Sequence, residues 1–151
     1  MNLQTGEPLG VVRVGPWRLA IPLNQIECIF SAALPVALPS PDAPMRLQVE
    51  GVLLPVIFGA ALFGAQSVEI GPEQKMVLIS DGTHRILLWV DAVEDIVPYR
   101  PLPAPADTAL AGEAWLAGFT GGDVTLAILD PAALARAALH REASTPSHLA
   151  G

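Results

Sequence analysis

The sequence predicts an all-β fold of small antiparallel barrels with little helix, on three observations. Short β-type runs are joined by glycine-centred turns, two proline-rich connections separate these runs, and strands nowhere alternate with long helical patterns. A parallel sheet built from βαβ units is therefore not expected.

The first elements are a hairpin. Met1 to Pro8 is polar and expected to be loose, whereas Val11 to Val14 and Trp17 to Leu23 are β-type runs flanking the turn pair Gly15-Pro16. Asn24 to Phe30 places Ile26, Ile29 and Phe30 on one side of a helical turn, and is equally compatible with an extended continuation of the preceding strand. Ser31 to Pro44 carries Pro35, Pro39, Pro41 and Pro44, so neither regular structure persists there.

The chain is organised around Leu47 to Gly64, LQVEGVLLPVIFGAALFG. Its apolar run from Val52 is too hydrophobic for a solvent-facing loop and is expected in the core. Val52 to Ile57 suits a buried strand, and Phe58 to Phe63 a short helix or turn closed by Gly64. Pro55 cannot donate to a ladder, which predicts an edge strand or a bulge. The run, broken by Pro55, Gly59 and Gly64, falls short of the roughly 20 residues of a membrane-spanning helix.

Gln66 to Gln74 reads as a surface loop turning at Gly71-Pro72. Lys75 to Ser80 and Thr83 to Val90 flank Asp81-Gly82, a pair suited to the positive φ angles of a type I′ turn. Asp91 to Val97 alternates acidic and apolar residues as a half-exposed strand does, until Pro98 stops it. Tyr99 to Glu113 is the second proline-rich connection and carries no periodicity. Trp115 to Thr120 and Val124 to Leu129 flank Gly121-Gly122-Asp123 as a third hairpin. Asp130-Pro131 opens a helix through Ala132 to His140, with Leu134 and Leu139 as its apolar anchors; the chain beyond Arg141 is expected to fray.

Composition narrows the function. A chain of 151 residues with 52% hydrophobic and 15% charged content is expected to fold as one domain, or as two small intimately joined subdomains, with a substantial core. At a net charge of −7, with its eight basic residues forming no run, it offers nothing to track a phosphate backbone, and nucleic acid is not an expected partner. Cys28 is the single cysteine, so no internal disulfide forms, and it reads as a small core hydrophobe. The N-terminal MNLQTGEPLG has neither the basic segment nor the apolar stretch of a secretory signal; a cytoplasmic protein is expected, with no direct insertion into a membrane.

Chemistry finds little footing. His84, His140 and His148 lack a second ligand at metal spacing, no serine sits in a GxSxG elbow, and no GxxxxGK loop is present. Asp91, Glu94 and Asp95 could form a cation or acid/base site, but on a strand Asp91 and Glu94 project to opposite faces. Neither a catalytic residue, a metal site nor a cofactor is therefore expected. The apolar excess points instead to binding, with some of Leu19, Ile21, Ile26, Phe30, Leu53, Phe58, Leu62, Phe63 and Trp89 available to line a groove.

Four segments in order resemble the CheW-like domain of bacterial chemotaxis coupling proteins: VVRVGPWRLAIPL, LQVEGVLLPVIFGAALFG, MVLISDGTHRILLWVDAVEDIV and WLAGFTGGDVTLAILDPAAL. Gly51 to Gly64 is similar to the family's G-x-x-x-P-V-x-D-L strand and following helix, Leu87 to Val97 to its L-x-V-D-x-V-x-x-V segment, and Gly118 to Leu134 to its closing pattern. The resemblance covers residues 9–140 as one domain, leaving 1–8 and 141–151 as flexible termini. It implies two small five-stranded SH3-like barrels with a short C-terminal helix.

It also implies a non-enzymatic signal-transduction adaptor. Members of the family link the cytoplasmic tip of methyl-accepting chemoreceptors to the regulatory domain of a CheA-type histidine kinase through protein contacts. The chain departs from the pattern where the signature N-L-R-G reads Gln48-Val49-Glu50-Gly51, and where P-V-x-D-L has Phe58 and Gly59 in place of Asp and Leu. Partner binding is accordingly expected at Glu50, Gly51, Val52, Leu53, Pro55 and Val56, with Glu50 and Phe58 outside the family's usual roles. Reversal of the signature charge also admits a second reading, an orphan barrel that titrates a kinase or scaffold without receptor coupling.

Overall fold

The computed structural model describes residues 3–31, 45–63, 71–105, 113–121 and 124–136. Two sheets make up the fold. The first hairpin is β1 (Pro8–Val14) and β2 (Trp17–Pro22), closed by Gly15 at φ 58°, the positive first position of a type II′ turn. The chain is held from Gly6 onward, because the Gly6 amide donates to the Tyr99 carbonyl and the Tyr99 amide to that of Glu7.

A 3-10 turn at Leu23–Gln25 leads into β3 (Ile26–Ser31), which settles the Asn24 to Phe30 stretch as mostly extended. The next strands are β4 (Met45–Val49) and β5 (Val52–Phe58), followed by the one-turn helix α1 (Gly59–Leu62). β6 (Lys75–Ser80) and β7 (Arg85–Val90) form the second expected hairpin, and β8 (Ala92–Pro98) follows directly. After β9 (Pro101–Leu102) come β10 (Leu116–Thr120), β11 (Leu126–Leu129) and a helix over residues 131–136.

One sheet has the order β8-β1-β2-β11-β10-β9 and the other β3-β6-β7-β5-β4. The first holds five full strands, and the two residues of β9 add a sixth. Most pairings are antiparallel as expected, but β11 joins β2 and β5 joins β7 in parallel. These two joins tie distant hairpins into each sheet, an arrangement that no local turn signal specifies.

The main core lies between the sheets. Val12, Val14, Leu19 and Ile21 meet Val77, Ile79, Ile86, Leu88 and Val90, with Leu129 and Leu134 closing one end. The opposite face of β6 and β7 is also covered, where Met76, Leu78, Leu87 and Trp89 pack with Leu54 and Val56. Burial on both faces explains why these strands read as continuous apolar runs rather than alternating ones.

Several expectations are corrected. Cys28 is exposed on β3, the edge strand of its sheet, rather than in the core. Pro55 lies on an interior strand without a bulge; β7 begins to pair at Val56, so Pro55 faces no ladder on that side. The Asp81-Gly82 pair is not a type I′ turn, since Gly82 has φ 95° but Asp81 keeps a negative φ. Ser80 pairs with Arg85 across four residues instead, and the Asp81 carboxylate accepts the amides of Thr83 and His84 at 2.8 and 2.6 Å. Tyr99 to Glu113 contains the short strand β9, which lies against Phe119 and Thr120.

The Asp130 cap is found as the sequence predicts. Its Oδ1 accepts the amides of Ala132 and Ala133 at 3.1 and 3.3 Å, and Leu134 and Ala135 bury the inner face of the helix. Residues 32–44, His140 and His148 lie outside the described residues.

Candidate functional site

The expected partner-binding residues fall on one element, the β4-β5 hairpin. Val49 pairs with Val52, which leaves Glu50-Gly51 as a two-residue turn with φ of 52° and 83°. Positive φ at both central positions is the mark of a type I′ turn, whose twist matches that of the flanking strands. Glycine adopts this conformation freely, whereas glutamate holds it against steric strain of about 1 kcal/mol.

The hairpin projects beyond its sheet. Residues 52–55 of β5 pair only with β4, because the register with β7 starts at Val56 and Leu87. Val52 and Leu53, on opposite faces of this ribbon, are 48% and 59% exposed. The run therefore divides: Leu54 and Val56 are core residues as expected, while the two residues nearest the turn face solvent. Pro55 is half-buried, and Val56 is packed beneath the hairpin with Leu87 and Trp89.

The structure scatters the other groove candidates. Leu19, Ile21 and Trp89 are buried, while Ile26, Phe30, Phe58, Leu62 and Phe63 are partly buried against the two large clusters. Phe63 stacks on Trp17 with ring centres 4.7 Å apart and planes 3° from parallel, and meets Trp115 edge-on at 5.8 Å. Exposed apolar residues that sequence reasoning did not single out are Trp17, Ile29, Val93, Ile96, Leu102 and Val124. For Ile96 the acid-apolar alternation is a usable signal, but the extra β8 residue Glu94, opposite the Val11–Val12 step of β1, resets which β8 residues face outward.

The acidic groups are engaged separately. Asp91 accepts from the Gly15 amide and from Gln74 Nε2, Glu94 pairs with Arg18 at 2.6 Å, and Asp95 bonds the amide of Ile96. Glu7, Asp81 and Asp130 border a recess of about 280 Å³, but Asp81 and Asp130 are occupied with the turn and helix amides already described. Among the described residues, no three His, Cys, Asp or Glu side chains are placed to share a metal ion, and no helix is long and apolar enough to cross a membrane.

The fold and the exposed Val52 and Leu53 define a two-sheet β module that presents a projecting hairpin. The family model of the CheW-like domain matches residues 9–139, and the chain belongs to that family. Among solved structures, the crystal structure of scaffolding protein TtCheW from Thermoanaerobacter tengcongensis superposes with a TM-score of 0.70 at 17% identity. That alignment covers 83% of this chain and 89% of the other, and establishes a shared fold. Comparison with curated proteins gives no match.

Proposed function

We propose that this chain is a chemosensory adaptor without catalytic activity, which couples a methyl-accepting chemoreceptor tip to the regulatory domain of a CheA-type histidine kinase in the cytoplasm. The observation that carries this reading is membership of the CheW-like family over residues 9–139, together with a structural likeness to a protein described as a scaffold. Residues 9–140 act as the adaptor domain. The β4-β5 hairpin, with Glu50, Gly51, Val52, Leu53, Pro55 and Val56, is the partner-binding element; Val52 and Leu53 supply accessible apolar surface, while Val56 supports the hairpin from below.

The deciding experiment is calorimetric titration of the full chain with the regulatory domain of the CheA-type kinase from the same cell, and separately with a chemoreceptor-tip fragment. Micromolar binding to both is the expected result. Binding to the kinase alone supports the second reading, a barrel that titrates the kinase without receptor coupling, for which the acidic Glu50 is the motivating feature. Binding to neither removes the adaptor reading and leaves the fold.

A further inference from the structure

The second proline-rich connection is left without a role by the adaptor reading. From Arg100 to Pro105 it reads RPLPAP, in which every residue is a proline or stands directly before one. Proline fixes its own φ at about −65° and drives the residue before it out of the helical region, so the whole stretch is held extended before any partner arrives. Polyproline geometry is the form that such a chain prefers where no ladder claims it.

The structure anchors one end of this stretch and leaves the rest open. The hydroxyl of Thr120, a residue 1% exposed, accepts the Arg100 amide at 2.9 Å and donates to the Arg100 carbonyl at 3.3 Å. The Gly121 amide reaches the same carbonyl at 2.9 Å, and Leu102 rests on Gly121, where any side chain would collide with it. Beyond that point Pro103, Ala104 and Pro105 are exposed and belong to no strand. The Arg100 guanidinium is exposed as well, and makes no hydrogen bond or ion pair.

An exposed strip of this composition suits one kind of recognition. Pro101, Pro103 and Pro105 have no amide hydrogen, so the strip cannot extend a partner's sheet as a regular strand. It offers carbonyl acceptors and flat proline rings, which fit against tryptophan and tyrosine side chains whose N–H and O–H groups donate to those carbonyls. Because the backbone is fixed in advance, little conformational entropy is lost on binding. We infer that residues 100–105 form a polyproline ligand for a protein partner whose groove is lined by tryptophan and tyrosine and edged by a carboxylate, which pairs with Arg100. The segment lies at the β9 edge of the first sheet, whereas the β4-β5 hairpin belongs to the second, so it does not depend on the adaptor reading.

The probe is an SH3 domain whose polyproline groove carries tryptophan, tyrosine and carboxylates, titrated into the full chain by calorimetry. The parent chain is expected to bind it. The double variant Pro103→Ala, Pro105→Ala should lose about tenfold or more in affinity while its far-ultraviolet circular dichroism stays that of the parent, since both positions are exposed and outside the strands. Arg100→Glu should weaken binding to a similar extent; it also folds, because only the Arg100 backbone bonds Thr120 and Gly121. The same probe with its groove tryptophan changed to alanine should not bind the parent. The inference is overturned if the parent does not bind the SH3 domain, if Arg100→Glu binds it as tightly as the parent, or if the alanine-substituted probe binds equally well. It is overturned too if the two proline replacements lower the melting temperature without changing affinity, which would assign these prolines to stiffening the connection alone.

Discussion

The carboxylate of Asp91 accepts the backbone amide of Gly15, so the residue that follows β7 in one sheet holds the β1-β2 turn of the other. Its second oxygen takes a hydrogen from Gln74 Nε2 at 2.9 Å, and Gln74 Oε1 in turn accepts from Trp89 Nε1 at 2.7 Å. This one side chain therefore links the lead-in to β6, the end of β7 and a hairpin from the neighbouring sheet. Replacing it by alanine removes the carboxylate that accepts the Gly15 amide and Gln74 Nε2. Asp91→Ala is expected to cost about 2 kcal/mol, measured as a lower denaturant midpoint with an unchanged slope.

Gly59 is a second point of contact between the sheets. A Cβ placed there would lie 2.8 Å from Val14 Cγ2 and 3.0 Å from the Trp89 carbonyl oxygen. One of these neighbours is backbone and cannot give way cheaply. Gly59→Ala should therefore destabilise the chain by about 1–3 kcal/mol, although alanine is the better helix former. Thermal unfolding checks this.

The first hairpin and the last helix are legible because their signals are local: Gly15-Pro16 marks a turn and Asp130-Pro131 a helix start through one or two residues whose backbone preferences are strong. Asp81-Gly82 marked the right place but the wrong turn, since the Asp81 carboxylate, by bonding two amides, stabilises a longer loop. β4 and its turn were missed as a hairpin because Glu50 is not a residue that composition associates with positive φ, and its conformation is imposed by pairing of Val49 with Val52. The exposure of Val52, Leu53 and Cys28 depends on where each sheet ends, which is set by long-range pairing rather than by neighbours in sequence. Family resemblance locates the candidate element and Glu50 within it, and the backbone geometry adds that Glu50 holds a positive φ.

Removing the strain at that acid has a stability consequence separate from binding. Glu50→Asn keeps a side chain but favours the left-handed region, and no described intramolecular contact is lost with the carboxylate. An increase of up to about 1 kcal/mol in unfolding free energy is expected, measured by chemical denaturation in the absence of any partner.

Acid should loosen the β6-β7 turn. The backbone amide of His84, assisted by that of Thr83, holds the Asp81 carboxyl below its ordinary range against a smaller opposing effect of burial. Because the folded value is the lower one, the stabilisation is complete above the unfolded carboxylate pKa of about 3.9, and is lost as pH falls through the folded value. Asp81→Ala should lower stability at neutral pH by about 1 kcal/mol and flatten the acid limb of the stability profile. Melting curves from neutral pH to below pH about 3 compare the two proteins.

The stack of Trp17 on Phe63 connects the β1-β2 hairpin to the residue that caps α1, and Phe63 passes the contact on to the buried Trp115. Trp17 is itself 38% exposed, so its removal opens no deep cavity and costs chiefly the aromatic contact. Trp17→Ala is expected to lower stability by about 1 kcal/mol and to change the near-ultraviolet circular dichroism, while far-ultraviolet signals from the sheets stay the same. The β4-β5 tip lies at the far end of β5 from α1, so affinity for the kinase regulatory domain and for the receptor-tip fragment should be unchanged in this variant. A parallel loss of that affinity would mean that the aromatic stack, and not only the hairpin, belongs to the binding surface.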